Sequence, residues 1–133
     1  MNGLMLDTNV LIHCFVSDRS VGKVLSAYER ILLNPVVLAE FRSGIHVGTK
    51  QGKRVEEQLS SLLNDSAVSV VPIFDKTADL YARIYRTLKA QGTPIPVNDM
   101  WIAASALEQG VSLFTFDAHF SKVPMLDVIV PSD

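Results

Sequence analysis

Apolar runs of strand length, at residues 4–6 (LML), 30–33 (RILL), 69–74 and 112–116 (SLFTF), alternate along the chain with segments whose apolar residues recur at helical spacing. Short apolar strands separated by helices imply parallel pairing in a sheet covered on both faces. The predicted fold class is therefore α/β, a parallel β-sheet of four to five strands flanked by helices, with residues 127–130 as the fifth strand.

Capping residues set the helix boundaries. Residues 10–15 read as a brief helix, and Val21, Val24, Leu25 and Tyr28 mark a second. Asn34 before Pro35 starts a helix, with Asn as N-cap and Pro at the first helical position, and that helix carries Glu40. The polar stretch GTKQGKR leads into a helix marked by Val55, Leu59, Leu62 and Leu63. Asp75 opens a longer one, with Leu80, Ile84 and Leu88 on one face, and Gly92 ends it. TPIPV is non-helical, after which Asn98 or Asp99 begins DMWIAASALEQG, apolar on nearly every side and so predicted to be buried.

With 133 residues, 48% of them hydrophobic, the chain can bury one sizeable core and is too short for two ordinary domains, so a single domain over 1–133 is expected. No apolar run approaches the roughly 20 residues that span a bilayer, and no basic start with a long apolar core precedes Asp7. A cytoplasmic protein without membrane contact is expected. Cys14 is the single cysteine, which excludes an intrachain disulfide, and it reads as a small buried hydrophobe. The net charge of −2, from 12 basic and 14 acidic residues, gives no overall basic excess for a polyanionic partner.

Four acids stand out by position. Asp7 and Asp117 immediately follow predicted strands, Glu40 rides at the edge of the buried stripe of the Pro35 helix, and Asp99 opens the apolar helix. Each has an ordinary explanation as a helix cap or first-turn acid. Together they fall at the carboxyl end of one sheet, where ligands gather in open α/β folds. Two like charges ~4 Å apart repel by about 4 kcal/mol at an effective dielectric near 20, so such a cluster requires protons or a cation. Mg²⁺ or Mn²⁺, with carboxylate and water ligands, resolves the repulsion. With these four acids assigned to metal, 12 basic residues face 10 acidic ones, and a phosphate-bearing substrate becomes plausible.

The blocks LMLDTNVLI, PVVLAEFRSGI, PVNDMWIAASAL and LFTFDAHF together resemble the PIN domain nucleases, and more narrowly the VapC toxins of toxin–antitoxin pairs. The resemblance spans nearly the whole chain, in the family's order, and the motif-free middle, residues 49–69, is where relatives differ most. It implies a small α/β domain whose acids, here Asp7, Glu40, Asp99 and Asp117, hold Mg²⁺ or Mn²⁺ for hydrolysis of RNA phosphodiester bonds, with transfer or ribosomal RNA as substrate. It also implies supporting roles for Thr8, Asn98 and Thr115, inhibition by a cognate VapB-like antitoxin, and a homodimer. Glu40 or Asp7 orients the attacking water as well as ligating metal, and the residues do not separate those roles. Asn9 stands where a haloacid dehalogenase-type phosphatase has its second Asp, which counts against that chemistry. The remaining alternatives are a housekeeping RNA-processing relative without an antitoxin and a metal-free RNA-binding module.

Among the other residues, Arg42, Lys50, Lys53 and Arg54 form an acid-free basic segment that either tracks an RNA backbone or is a solvated face. His13, His46 and His119 show no metal-ligand spacing with Cys14, and His119 reads as a satisfied structural histidine. Trp101 is expected in the core, and Arg83 and Arg86 on a solvated face. Gly44 either admits a close approach by substrate or partner or loosens a helix end. Phe41, Ile45 and Val24 are expected to line a hydrophobic groove for the antitoxin.

Overall fold

In the computed structural model, which describes residues 2–16 and 18–131, strand β1 (Gly3–Leu6) is the centre of the sheet. Leu4, Met5 and Leu6 point alternately to opposite faces and all three are buried, so both faces are covered at this strand. β2 (Arg30–Leu33) pairs on one side, with Met5 opposite Leu32, and β4 (Ser112–Phe114) on the other, with Leu6 opposite Phe114. β3 (Val68–Val70) and β5 (Val128–Ile129) complete a five-stranded sheet in the order β3-β2-β1-β4-β5, parallel throughout. The chain builds outward from β1 to β3 and then returns to lay β4 on the other side of β1. The topology therefore reverses between β1 and β4, and the crevice outside their carboxyl ends is the favoured ligand position.

The helices are α1 (Thr8–His13), α2 (Arg19–Leu25), α3 (Pro35–Ser43), α4 (Lys50–Leu63), α5 (Asp75–Gln91) and α6 (Val97–Gln109), with a 3-10 turn over Ala118–Lys122. Asn34 caps α3 through its side-chain oxygen, 2.7 Å from the Val36 N–H, and Pro35 occupies the first turn. α5 stops at Gly92, whose φ of 71° lies in the left-handed region that favours glycine. In α6, Ala103, Ala104, Ser105 and Ala106 have no exposure, as its apolar circumference predicts, and the helix packs against α3, α5 and β4. None of these helices, among the described residues, is long and apolar enough to cross a membrane.

Several boundaries differ from expectation for physical reasons. β3 ends at Val70 and not at residue 74, because Pro72 has no N–H to extend the ladder. β4 ends at Phe114, because the Phe116 N–H leaves the sheet for the Asn9 side chain at 3.2 Å. β5 is trimmed to two residues, and α2 ends at Leu25, three residues before Tyr28. α1 begins at Thr8 because Asp7 caps it, and α6 begins at Val97 after Pro96. α4 begins at Lys50, inside the stretch read as a polar lead-in. Thr49 caps it: its hydroxyl accepts from the Gly52 N–H at 3.0 Å and donates to the His46 carbonyl at 2.7 Å. A Cβ at position 52 would lie 2.0 Å from the His46 oxygen, so this entry into the helix requires glycine.

Candidate active site

Asp7 follows β1 and caps α1, which places its carboxylate at the β1–β4 switch point. Its backbone N–H continues the sheet by donating to the Phe114 carbonyl at 2.9 Å. Oδ1 accepts from the Thr8 N–H at 2.8 Å, and Oδ2 accepts from the Thr115 hydroxyl at 2.6 Å. The same hydroxyl accepts from the Asp117 N–H at 2.9 Å, so one fully buried threonine fixes two acids. Burial pushes the Asp7 carboxyl above the usual range, the Thr115 and Thr8 hydrogen bonds pull it back, and the charges of Asp99 and Glu40 add to the rise.

Glu40 sits half-buried on α3 with both oxygens held: the Thr8 hydroxyl donates to Oε1 at 2.6 Å, and the Asn98 amide approaches Oε2 at 3.4 Å. Thus Thr8 and Asn98 each tie one acid-bearing segment to Glu40. Asp99, in the first turn of α6, is likewise pushed upward, first by burial, with Glu40 and Asp117 adding repulsion and His119 opposing. Asp117 caps the 3-10 turn, accepting from the His119 N–H at 3.1 Å. The His119 ring lies between two acids, Nε2 2.5 Å from Asp99 and Nδ1 2.6 Å from Asp117. Among the described residues no Lys or Arg forms an ion pair with any of the four acids. Mutually repelling carboxylates without a permanent cation are a donor set that fits a divalent metal ion.

The PIN domain family matches residues 4–126. The chain belongs to the PIN domain family. Relatives place it among the VapC ribonucleases. It is 30% identical over 119 residues to ribonuclease VapC5 of Mycobacterium tuberculosis, covering 90% of this chain and 86% of that one. It is 29% identical over 131 residues to ribonuclease VapC1 of Rickettsia felis, covering 98% and 97%. The structure of VapBC-1 from nontypeable Haemophilus influenzae superposes with a TM-score of 0.80 at 27% identity, over 96% of this chain and 97% of that one.

Around this PIN site the basic residues separate. Arg54 lines the same groove of about 500 Å³ as Glu40, together with Ile12, Phe15, Phe41 and Ile45, whereas Arg42, Lys50 and Lys53 are exposed outside its lining. Val24 packs against the core and does not line the groove. Gly44 is the C-cap of α3 at an ordinary φ of −87° and also lines the groove, so it stands at the helix end and at the open wall alike. Trp101 is half-buried against Tyr81 of α5, ring centroids 4.4 Å apart, and not in the core. Arg83 pairs with Asp79 in solvent, and burial raises the half-buried Cys14 thiol to about 11, which leaves it unreactive.

Two site features escaped the sequence reading. One is the Asn9 side chain, which accepts the Phe116 N–H and so aims the Thr115–Asp117 segment of the PIN site. The other is His119. The Asp-Thr-Asn motif thus acts through all three side chains: a carboxylate, a tether to Glu40 and a clamp on the segment that follows β4. Thr115→Val keeps the shape but strips a donor from the buried Asp7 and an acceptor from the Asp117 N–H. We expect a loss of about 2 kcal/mol in chemical denaturation and a drop of about tenfold to a hundredfold in cleavage rate.

Proposed function

We propose that this chain is a divalent-metal-dependent endoribonuclease that hydrolyses RNA phosphodiester bonds and acts as a toxin, paired with itself as a homodimer and neutralised by a cognate VapB-like antitoxin. The observation that carries the reading is the convergence of Asp7, Glu40, Asp99 and Asp117 on the β1–β4 switch point without a permanent cation. Asp7, Asp99 and Asp117 would hold Mg²⁺ or Mn²⁺, with Glu40 beside them. A bound ion supplies a water of lowered pKa and stabilises charge on the phosphoryl oxygens. The protein's own part is positional. Thr8 and Thr115 fix Asp7, so its two oxygens cannot rotate away from the crevice. Glu40, tethered at both oxygens, orients the attacking water by accepting one of its hydrogens. Hydrolysis of this kind needs no covalent nucleophile and leaves a 5′ phosphate and a 3′ hydroxyl. Arg54, in the groove beside Glu40, is placed to meet a phosphate of the flanking strand. Relatives named as ribonucleases support the substrate class, and VapBC-1 supports a partner chain.

The test is incubation of the purified chain with transfer RNA and ribosomal RNA, in Mg²⁺, in Mn²⁺ and in EDTA, with sequencing of the RNA ends. Discrete cuts bearing 5′ phosphates, abolished by the chelator, are the expected result. Undiminished cleavage in EDTA, or ends carrying 2′,3′-cyclic phosphate, would overturn the mechanism.

A further inference from the structure

The sequence assigns His119 a structural role, but its ring stands where the acids converge. Nε2 contacts Asp99 on α6, and Nδ1 contacts Asp117 on the segment after β4. Among the described residues, Asp99, Asp117 and His119 are the one group of metal-ligating types whose donor atoms all lie within 4.8 Å of one another. The residue is anchored at its backbone, whose N–H donates to Asp117, and its ring lies beside that of the wholly buried Phe120, centroids 5.2 Å apart and tilted by 30°. A histidine that merely supports a carboxylate ligand needs one contact with it; this one touches two acids from two separate elements.

We propose that His119 is itself a ligand of the divalent ion, giving this site a mixed nitrogen and oxygen donor set that favours Mn²⁺ over Mg²⁺. The inference rests on the metal-dependent reading above. Mg²⁺ is hard and takes oxygen ligands almost exclusively, whereas imidazole suits first-row transition ions. Ligating histidines ordinarily donate their second ring N–H to a carboxylate, and His119 has a carboxylate within reach of each nitrogen. In the metal-free chain both nitrogens face a carboxylate, so ion binding must displace one of these contacts and release the proton held in it to solvent. The freed nitrogen and the acid it leaves then both serve the ion, while the other nitrogen keeps its acid.

The experiment is pulsed electron paramagnetic resonance of Mn²⁺ added to the metal-free full-length chain, prepared with natural-abundance and with ¹⁵N-labelled histidine. The expected result is a nitrogen coupling that changes with the label and disappears in His119→Gln. Alongside it, the ratio of Mn²⁺ to Mg²⁺ affinity, measured by calorimetry, should fall by about tenfold or more in that variant. A wild-type Mn²⁺ spectrum showing oxygen ligands alone overturns the role of His119 and leaves the metal-dependent reading intact. An unchanged affinity ratio in His119→Gln overturns it as well. Failure of the wild-type chain to bind Mn²⁺ at all overturns both, so the two failures are distinguishable. The isotope comparison in the wild-type chain overturns the proposal if no coupling follows the label, even if His119→Gln does not fold. The label marks all three histidines, so His13→Gln and His46→Gln, each expected to keep the coupling, assign it to His119, and its loss in either would overturn the assignment.

Discussion

Asp7→Asn should lower RNA cleavage by about a thousandfold or more while raising the melting temperature of the metal-free protein at neutral pH. The activity loss follows from removing one of the acids that would hold the ion: forfeiting about 4 kcal/mol of charge stabilisation corresponds to about three powers of ten in rate. The gain in stability follows from the direction of the Asp7 shift. Burial holds the folded-state carboxyl above its ordinary value, with Asp99 and Glu40 pushing the same way. A carboxyl shifted upward by folding favours the native state below its unfolded pKa, and that contribution is lost as pH rises through the folded value. At neutral pH the wild-type chain therefore carries the full penalty of an ionised, buried Asp7. Asparagine keeps the shape, still accepts the Thr8 N–H through its oxygen and removes the charge. Its NH2 faces the Thr115 hydroxyl, which must then accept where it had donated, so the gain is what relief of buried charge leaves after that bond is lost. The difference in melting temperature should shrink as pH falls into the acid range where wild-type Asp7 takes up its proton. A variant that is less stable than wild type at pH 7 and gains on it in acid would show that burial and like charge are not what governs this carboxylate.

The same residue shows how much of the molecule its sequence carries. Asp7, Glu40, Asp99 and Asp117 were legible because each interrupts an apolar run at a strand end or a helix edge, and local hydrophobic spacing reports such positions directly. Likewise Asn34 with Pro35, and Gly92, mark helix ends through chemistry that lies within three residues. What spacing does not carry is contact across the sheet. Asn9 and Phe116 are 107 residues apart, and His119 meets Asp99 across 20 residues, so no periodicity announces either pairing. The early start of α4 was missed for a related reason: it depends on Thr49, Gly52 and the His46 carbonyl fitting together, in a stretch whose charged residues masked the helix. The shortening of β3, by contrast, was available in Pro72.

Phe120 joins packing to chemistry most directly. It lies at the centre of the 3-10 turn, has no exposure, and carries the ring of His119 against its own. Phe120→Ala should cost about 3–5 kcal/mol, from lost transfer energy plus the cavity left behind. Since small domains have only about 5–15 kcal/mol in total, this is a large part of the stability of the fold. For a chain of this length the melting temperature should fall by about 10 °C or more. The residual folded protein should also cleave RNA poorly, because Asp117 and His119 are the two residues the turn presents to the crevice, and a turn without its anchor no longer holds them against Asp99. Phe120→Leu separates the two effects. It fills most of the cavity, so urea denaturation should give a midpoint between those of wild type and the alanine variant, with an unchanged slope. Yet it offers no flat face to the imidazole, so cleavage should drop more than the stability loss accounts for. Full activity in a folded Phe120→Leu protein would mean that the hydrogen bonds of Asp117 alone, to Thr115 and the His119 N–H, suffice to place the turn.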